Sequence, residues 1–566
     1  MKMTGARMVV EALALEGVQC VFGIPGGSVI PLYDALYDAP FPHILVRHEQ
    51  AAAHAADGYA RASGKPGVCI CTSGPGFTNI LTGLATAFMD SVPLVAISGQ
   101  VSTHLIGTDA FQESDTFGSS LAAVKHSFLV RSLEELPAAL KGAFEIAASG
   151  RPGPVLVDLP VDIQKAEGEF FYPEGPVFEK SRLNPEEKLE GLVEAAALLE
   201  KAQKPVILAG GGIIFSGASL ELAAFAEKLQ IPVATTLMGK GGFPENHPLS
   251  LGMAGMHGTP QANLALTEAD VVFAIGTRFS DRTTGKLDQF LKGAALIHGD
   301  IDEAEIDKIV PCTVPLVGDA KTILSSLSRR ITGKQKRAWT ETTGRWKREY
   351  PLADGNEARL VPSSLFDRVS RASDDHWPVV ADVGQNQMWT ALFYKSERPR
   401  TFLTSGGLGT MGYALPAAIG ASLSGNLTPA LCFAGDGGFL MNCQELETCA
   451  RYQIPVKIFL LNNSALGMVR QWQELFWNER YSATTAVSGC RFAALAEAFG
   501  VPGYSCDTLE ELEEILPGVL ASPGPALVDC RIPQEELILP MVPAGAALKD
   551  FIYTTKTSEK KIAASA

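Results

Sequence analysis

Short apolar runs that end in glycine or a polar turn, each followed by helix-spaced residues, recur along most of the chain. In the first third, Val18 to Phe22 reads as a strand ending in Gly23-Ile24-Pro25-Gly26-Gly27, and Ile44 to Arg47 as another ending at His48-Glu49. The helix pattern AAAHAADGYARA follows, then a strand from Val68 to Thr72, the turn Ser73-Gly74-Pro75-Gly76, a helix to Met89 and a strand from Leu94 to Ser98. The middle repeats the theme with Pro205 to Gly212, Pro232 to Gly239, Asp270 to Gly276 and Ala295 to Ile301. In the last third an apolar run from Pro429 to Phe433 breaks at Gly435-Asp436-Gly437-Gly438. A helix pattern spans Asn442 to Tyr452, and a second run, Val456 to Leu461, ends in Asn462-Asn463. Strands alternating with helices predict parallel sheets with helices on both faces. The expected fold is α/β, with three doubly wound parallel-sheet domains over residues 1–165, 188–335 and 361–545. Residues 166–187 and 333–360 lack a period and read as linkers; the tail after Tyr553 reads as frayed.

Composition narrows the classes of function. The 566 residues suit three domains. With 46% hydrophobic and 19% charged residues, a well-cored soluble protein is expected. A formal net charge of −15 argues against a nucleic-acid partner, which needs a basic face. No apolar run reaches membrane-spanning length, and the opening MKMTGARMVVEALALEGV is patterned as an amphipathic helix rather than a leader; a cytoplasmic location is expected. The ten cysteines lie mostly in apolar patterns, as at Cys69, Cys71 and Cys432, and predict reduced thiols.

Ligands of parallel sheets bind at the carboxyl edge of the strands. There, Gly435 and Gly437 let the backbone approach a diphosphate, while Asp436 and Asn463 offer hard oxygen atoms suited to Mg²⁺. Alone, Gly-Asp-Gly is a tight turn. Followed by 24 residues and Asn-Asn at the next strand end, it points to a diphosphate–metal site. Glu49 at a strand end is either a helix-starting carboxylate favoured by the macrodipole or an acid–base group.

Eleven segments then fall in order: VFGIPGGSV, RHEQAAAHAADGYARASGKPGVCICTSGPGFTN, GTDAFQE, KHSFLV, SGRPGPVLVDLP, GMAGMHGT, GTRFSDR, DVGQNQMW, GLGTMGYALPAAIGA, GDGGF and LNNSALGMVRQW. Together they resemble the catalytic (large) subunit of acetohydroxyacid synthase, also called acetolactate synthase, a thiamine diphosphate (ThDP) enzyme. The resemblance implies pyrimidine-binding, central FAD-binding-like and diphosphate-binding domains. It implies that Glu49 activates ThDP, with Gly74, Asn79 and Gln112 near the pyrimidine or substrate. Val383, Gly384, Gln385, Asn386, Gly409, Met411 and Met468 would line the coenzyme pocket, and Gly435, Gly437 and Gly438 would border the diphosphate. Mg²⁺ would be held by Asp436, Asn463 and the carbonyl of Ala465.

For FAD the matching positions are Arg151, Gly211, Thr236, Leu237, Met256, His257, Gly276, Arg278, Asp300, Ile301, Asp319 and Gln387. Arg282 would pair with a 2-oxoacid carboxylate. Trp472, Phe111 and Met256 would wall the acceptor pocket. The implied reaction decarboxylates pyruvate and condenses its hydroxyethyl unit with pyruvate or 2-oxobutyrate, in branched-chain amino acid biosynthesis. A homodimer or homotetramer and a regulatory small subunit are the implied partners. Val161 stands where the family has Lys, and Asn386 and Ala465 each where it has His. Rival readings are a ThDP-dependent decarboxylase or carboligase with another acceptor, and a flavoenzyme of the pyruvate oxidase kind.

Overall fold

The computed structural model describes residues 2–178, 187–333, 337–352, 359–485 and 489–553. Three six-stranded sheets, all parallel, form its framework. Strands such as Gly67–Cys71 and Val456–Asn462 are buried along their whole length, as continuous apolar runs covered by helices on both faces should be.

In the N-terminal sheet the strands lie side by side as His43–Leu45, Val21–Gly23, Gly67–Cys71, Leu94–Gln100, Pro154–Pro160 and His126–Leu129. In the C-terminal sheet they lie as Phe402–Thr404, Val379–Ala381, Ala430–Gly435, Val456–Asn462, Ala526–Arg531 and Gly503–Cys506. Numbered within each sheet, both orders are 2-1-3-4-6-5. The middle sheet runs Ser250–Met253, Val233–Thr235, Pro205–Ala209, Val271–Ile275, Ala295–Asp300 and Val314–Val317, which is 3-2-1-4-5-6, the order of dinucleotide-binding sheets.

The N- and C-terminal sheets are joined by the helices that follow their second strands, Glu49–Ser63 and Ala414–Leu423. Each helix presents a glycine where the other's backbone arrives: a Cβ on Gly58 would strike the Ala417 carbonyl, and one on Gly420 the Ala55 carbonyl. Beside this crossing lies a buried ionic cluster. Arg61 donates to Asp57 at 2.6 Å and to Asp90 at 2.9 Å, and the Tyr413 hydroxyl donates to Asp57 at 2.6 Å. Buried ions persist only when paired in this way.

Two stretches read as linkers hold structure. Residues Arg337–Glu349, inside 333–360, form a helix. Its Trp339 and Trp346 are buried edge-to-face at 5.6 Å, and the Trp339 indole donates to the Pro205 carbonyl at 3.0 Å. Two aromatics seven residues apart supply the burial that a sparse apolar pattern hides. At the start of 166–187, Glu167–Glu169 pairs antiparallel with Lys2–Thr4, and Phe170 and Tyr172 pack on the N-terminal core. The tail after Tyr553 lies outside the described residues. All ten cysteines are free. No described helix is long and apolar enough to cross a membrane.

Candidate active site

Glu49 opens its helix, with His48 as the cap whose Nδ1 accepts from the Gln50 N–H at 3.1 Å. The Asn79 amide donates to Glu49 Oε2 at 2.8 Å, so the helix after the third strand orients the carboxylate at the end of the second. Gly74 starts that third-strand helix at φ 59°, and a Cβ there would meet the Gln112 carbonyl oxygen at 2.9 Å. Gln112 itself takes φ 60°, a strained choice for a non-glycine residue that recurs at functional turns. Thus Glu49, Asn79, Gly74 and Gln112 share the carboxyl edge of one sheet. Phe111 is 88% exposed.

The equivalent edge of the C-terminal sheet gathers the other set. The Ala430–Gly435 strand passes directly into the one-turn helix Asp436–Phe439, rather than a longer one. Asp436 is 4% exposed, and burial pushes its carboxyl up to about 6. A Cβ on Gly437 would press on Leu466 at 2.7 Å and Met411 at 3.8 Å, and one on Gly435 would meet Asn386 Oδ1 at 3.3 Å. Asn463 donates to Gln385 Oε1 at 2.9 Å and accepts from the Ala465 N–H at 3.2 Å. Asn386, in the family's His position, donates to the Asp382 carbonyl at 2.7 Å. Val383 and Gly384 lead into the helix that carries Gln385, while Gly409 and Met411 sit on the second-strand exit. Met468 packs from the helix Gly467–Phe476.

Three elements bring the proposed substrate residues together. The Arg282 guanidinium lies over the Trp472 ring, 5.7 Å from its centroid, and reaches Met256 Sδ at 3.6 Å. The Trp472 indole N–H is buried without a partner. Arg282 also stands 3.9 Å from Asp281, an exposed and weak pair.

The FAD positions cluster at the carboxyl edge of the middle sheet: Gly211 after the first strand, Thr236 and Leu237 after the second, Gly276 and Arg278 after the fourth, Asp300 and Ile301 at the fifth. Arg151 enters from the N-terminal domain and pairs with Glu305 at 2.6 Å. Burial, then the nearby Arg151, lowers the Arg278 pKa, opposed by Asp90, Glu305 and Asp300. Thr235 Oγ1, His257 Nδ1 and Gln261 Oε1 are buried without partners on or beside this edge. Such orphans suit a bound polar group. Two positions have other employment. Asp319 caps the helix Ala320–Arg330, accepting from Lys321 and Thr322. Gln387 donates to Thr404 at 2.7 Å inside the C-terminal domain.

Sequence reading missed the residues that hold these loops. Asp382, fully buried and raised to about 6 by that burial, accepts from the N–H groups of Val383, Gly412 and Ala414 and ties the first-strand exit to the second. Its signal was an acid at a strand end. Asp158 and Asp529 occupy the sixth strands at matching registers, opposite Ser98 and Leu460. Asp158 accepts from Gln100 at 3.1 Å and from Thr116, bracketing the loop of Gln112; Asp529 accepts from Asn462 at 2.8 Å, beside Asn463. Nothing in either strand's pattern marked them.

Comparison with known proteins agrees with this geometry. Residues 3–119 match the thiamine pyrophosphate enzyme N-terminal TPP binding domain, 192–327 the central domain and 382–530 the C-terminal TPP binding domain. The chain is 48% identical to the acetolactate synthase isozyme 2 large subunit of Escherichia coli, over 97% of this chain and 99% of that protein. It is 47% identical to the probable acetolactate synthase large subunit of Methanocaldococcus jannaschii, over 99% and 96%. It is 45% identical to the acetolactate synthase large subunit of Buchnera aphidicola, over 97% and 98%. With three parallel sheets, the paired carboxyl-edge sites and this identity along its length, the chain belongs to the acetolactate synthase large-subunit family of thiamine pyrophosphate enzymes.

Proposed function

We propose that the chain decarboxylates pyruvate and joins the remaining two-carbon unit to a second 2-oxoacid, pyruvate or 2-oxobutyrate. The observation that carries this reading is the pair of sites at matching edges of two sheets: Glu49 held by Asn79, and Asp436 near Asn463 and Gln385. Bound between them, ThDP supplies a carbon nucleophile and an electron sink. The Glu49 carboxylate holds a proton at the pyrimidine, and Asn79 fixes its direction. Asp436, Asn463 and the Ala465 carbonyl offer oxygens to Mg²⁺, while Gly437 keeps the diphosphate cradle clear of a Cβ. Arg282 offers a bidentate contact to the oxoacid carboxylate, and the Trp472 face holds the guanidinium in place.

The active unit in this reading is a homodimer. Within one chain, Thr410 bonds Thr86 at 2.8 Å, whereas Asn79 lies seven residues, about 10 Å, further along the same helix. Met411 and Glu49 therefore address different points, which supports a site completed by a second copy. Phe111 in its loop, and Phe117 and Leu121 in and at the end of the short helix Thr116–Ser120, are exposed at 88, 46 and 60%, an apolar surface for that copy to cover. FAD at the middle sheet is supported by its strand order and its orphaned polar atoms. The large-subunit names of the relatives support a small regulatory partner, and ten free thiols suit the cytoplasm.

Purified protein with ThDP, Mg²⁺ and FAD should convert pyruvate to acetolactate, and with 2-oxobutyrate added to acetohydroxybutyrate. Acetaldehyde or acetate as the sole product would sink the reading.

A further inference from the structure

The helix Glu445–Tyr452, which follows the Asp436 turn, lies across the outer edge of the N-terminal sheet. An edge strand presents N–H and C=O groups with no partner strand. Here they are met by one stripe of helix side chains. The Tyr452 hydroxyl accepts from the Leu45 N–H at 3.0 Å and lies 3.4 Å from the His43 carbonyl. The Thr448 hydroxyl lies 3.3 Å from the Leu45 carbonyl and donates to Glu445 Oε2 at 2.7 Å. Glu445, 0% exposed, takes the Arg47 N–H at 2.9 Å on one oxygen and 3.2 Å on the other. Burial pushes this carboxyl up to about 7, opposed by Thr448 and by the backbone N–H groups of Arg47 and His48. Those two residues immediately precede Glu49, and His48 caps its helix.

We propose that Glu445 is a positioning residue for Glu49: by receiving the N–H group of Arg47 on both its oxygens, it fixes the chain entering the Glu49 helix and so the place of the Glu49 carboxylate. The proposal rests on the reading of Glu49 as the group that activates ThDP. A buried carboxylate is a costly way to brace a backbone, since a neutral side chain could accept the same bonds. Its effect is transmitted over two residues of main chain, a short lever for a carboxylate whose catalytic geometry tolerates little displacement.

The test compares full-length Glu445→Ala, Glu445→Gln and Glu445→Asp with Glu447→Gln on the same helix, which removes the half-exposed pairs of Glu447 with Arg47 and Arg451. Amide hydrogen exchange of the segment 43–52, read without coenzyme, should speed up about tenfold or more at Arg47 and His48 in Glu445→Ala. With ThDP and Mg²⁺, kcat should fall about 10- to 100-fold while KM for pyruvate and ThDP affinity stay within about twofold. Glu445→Gln keeps one carbonyl acceptor and should recover most of both; Glu445→Asp, one methylene short, should fall between; Glu447→Gln should match the parent. Unchanged exchange at Arg47 and His48, or unchanged kcat in a folded Glu445→Ala, overturns the proposal. So does a loss of kcat that merely follows lost ThDP affinity. Should Glu445→Ala not fold, the Gln and Asp variants decide on the same readouts. If Glu49→Gln proves fully active, the reading of Glu49 has failed separately, and the exchange data still report whether Glu445 holds the segment.

Discussion

The N- and C-terminal sheets share one strand order, yet equivalent strand ends carry different chemistry. After the third strand, one sheet turns through Ser73-Gly74-Pro75 with no charge, and the other through Gly435-Asp436-Gly437 with a buried carboxylate. After the second strand, one begins a helix with Glu49, while the other runs through a glycine-rich loop to Met411 before its helix starts at Ala414. After the fourth, one loops to Gln112 and the other stops at Asn463, and in both a sixth-strand aspartate ties that exit down. Topology fixes where a ligand can lie; the residues placed in the turns decide which end of the ligand each sheet grips.

That division of labour can be broken by swapping the loss between the sheets. Glu49→Gln should lower kcat on pyruvate about 10²- to 10⁴-fold with ThDP affinity nearly unchanged, because the role proposed for this side chain is proton transfer rather than anchoring. A variant retaining full turnover would remove Glu49 from the chemistry. Asp436→Ala should do the opposite: ThDP binding in the presence of Mg²⁺, followed by isothermal titration, should weaken about 10- to 100-fold, as loss of a metal-side group does. Equal ThDP affinity in the two proteins would erase the distinction between the sheets.

A smaller effect probes the matched aspartates. Burial raises Asp158 to about 7 and raises Asp529 as well. A carboxyl whose folded pKa lies above its unfolded value of about 4 holds a proton the unfolded chain releases, so its contribution to stability is full below about 4 and is lost as pH rises to about 7. In urea midpoints taken across that window, Asp158→Asn should lose stability less steeply with rising pH than the parent. Above pH 7 the two slopes should coincide. A parent and variant with the same slope between pH 4 and 7 would show that Asp158 stays ionised in the folded protein.

Legibility from sequence followed burial and local turn chemistry. The long buried strands were visible as unbroken apolar runs, among them Gly67–Cys71, Val271–Ile275 and Val456–Asn462. Short edge strands such as Ser250–Met253 and Gly503–Cys506 were not, since three or four residues leave no period to read. The helix Arg337–Glu349 was hidden because two tryptophans do the work of a stripe. Residue order alone marked Asp436 and Asn463 and left Glu49 open between two roles, because Gly-rich strand ends and their acids are local features, whereas Arg282 was named only through the family resemblance. The pairings that hold them were invisible, even where the resemblance named both residues: Asn79 lies 30 residues from Glu49, Gln385 lies 78 from Asn463, and Glu445, which no motif singled out, lies 398 from Arg47. Local sequence therefore determined which side chains stand at the carboxyl edges, since a turn is set by its own few residues. Only the packing of one sheet's helices on another decided how those side chains are oriented, because hydrogen bonds between distant segments exist only once the chain has closed the loops between them.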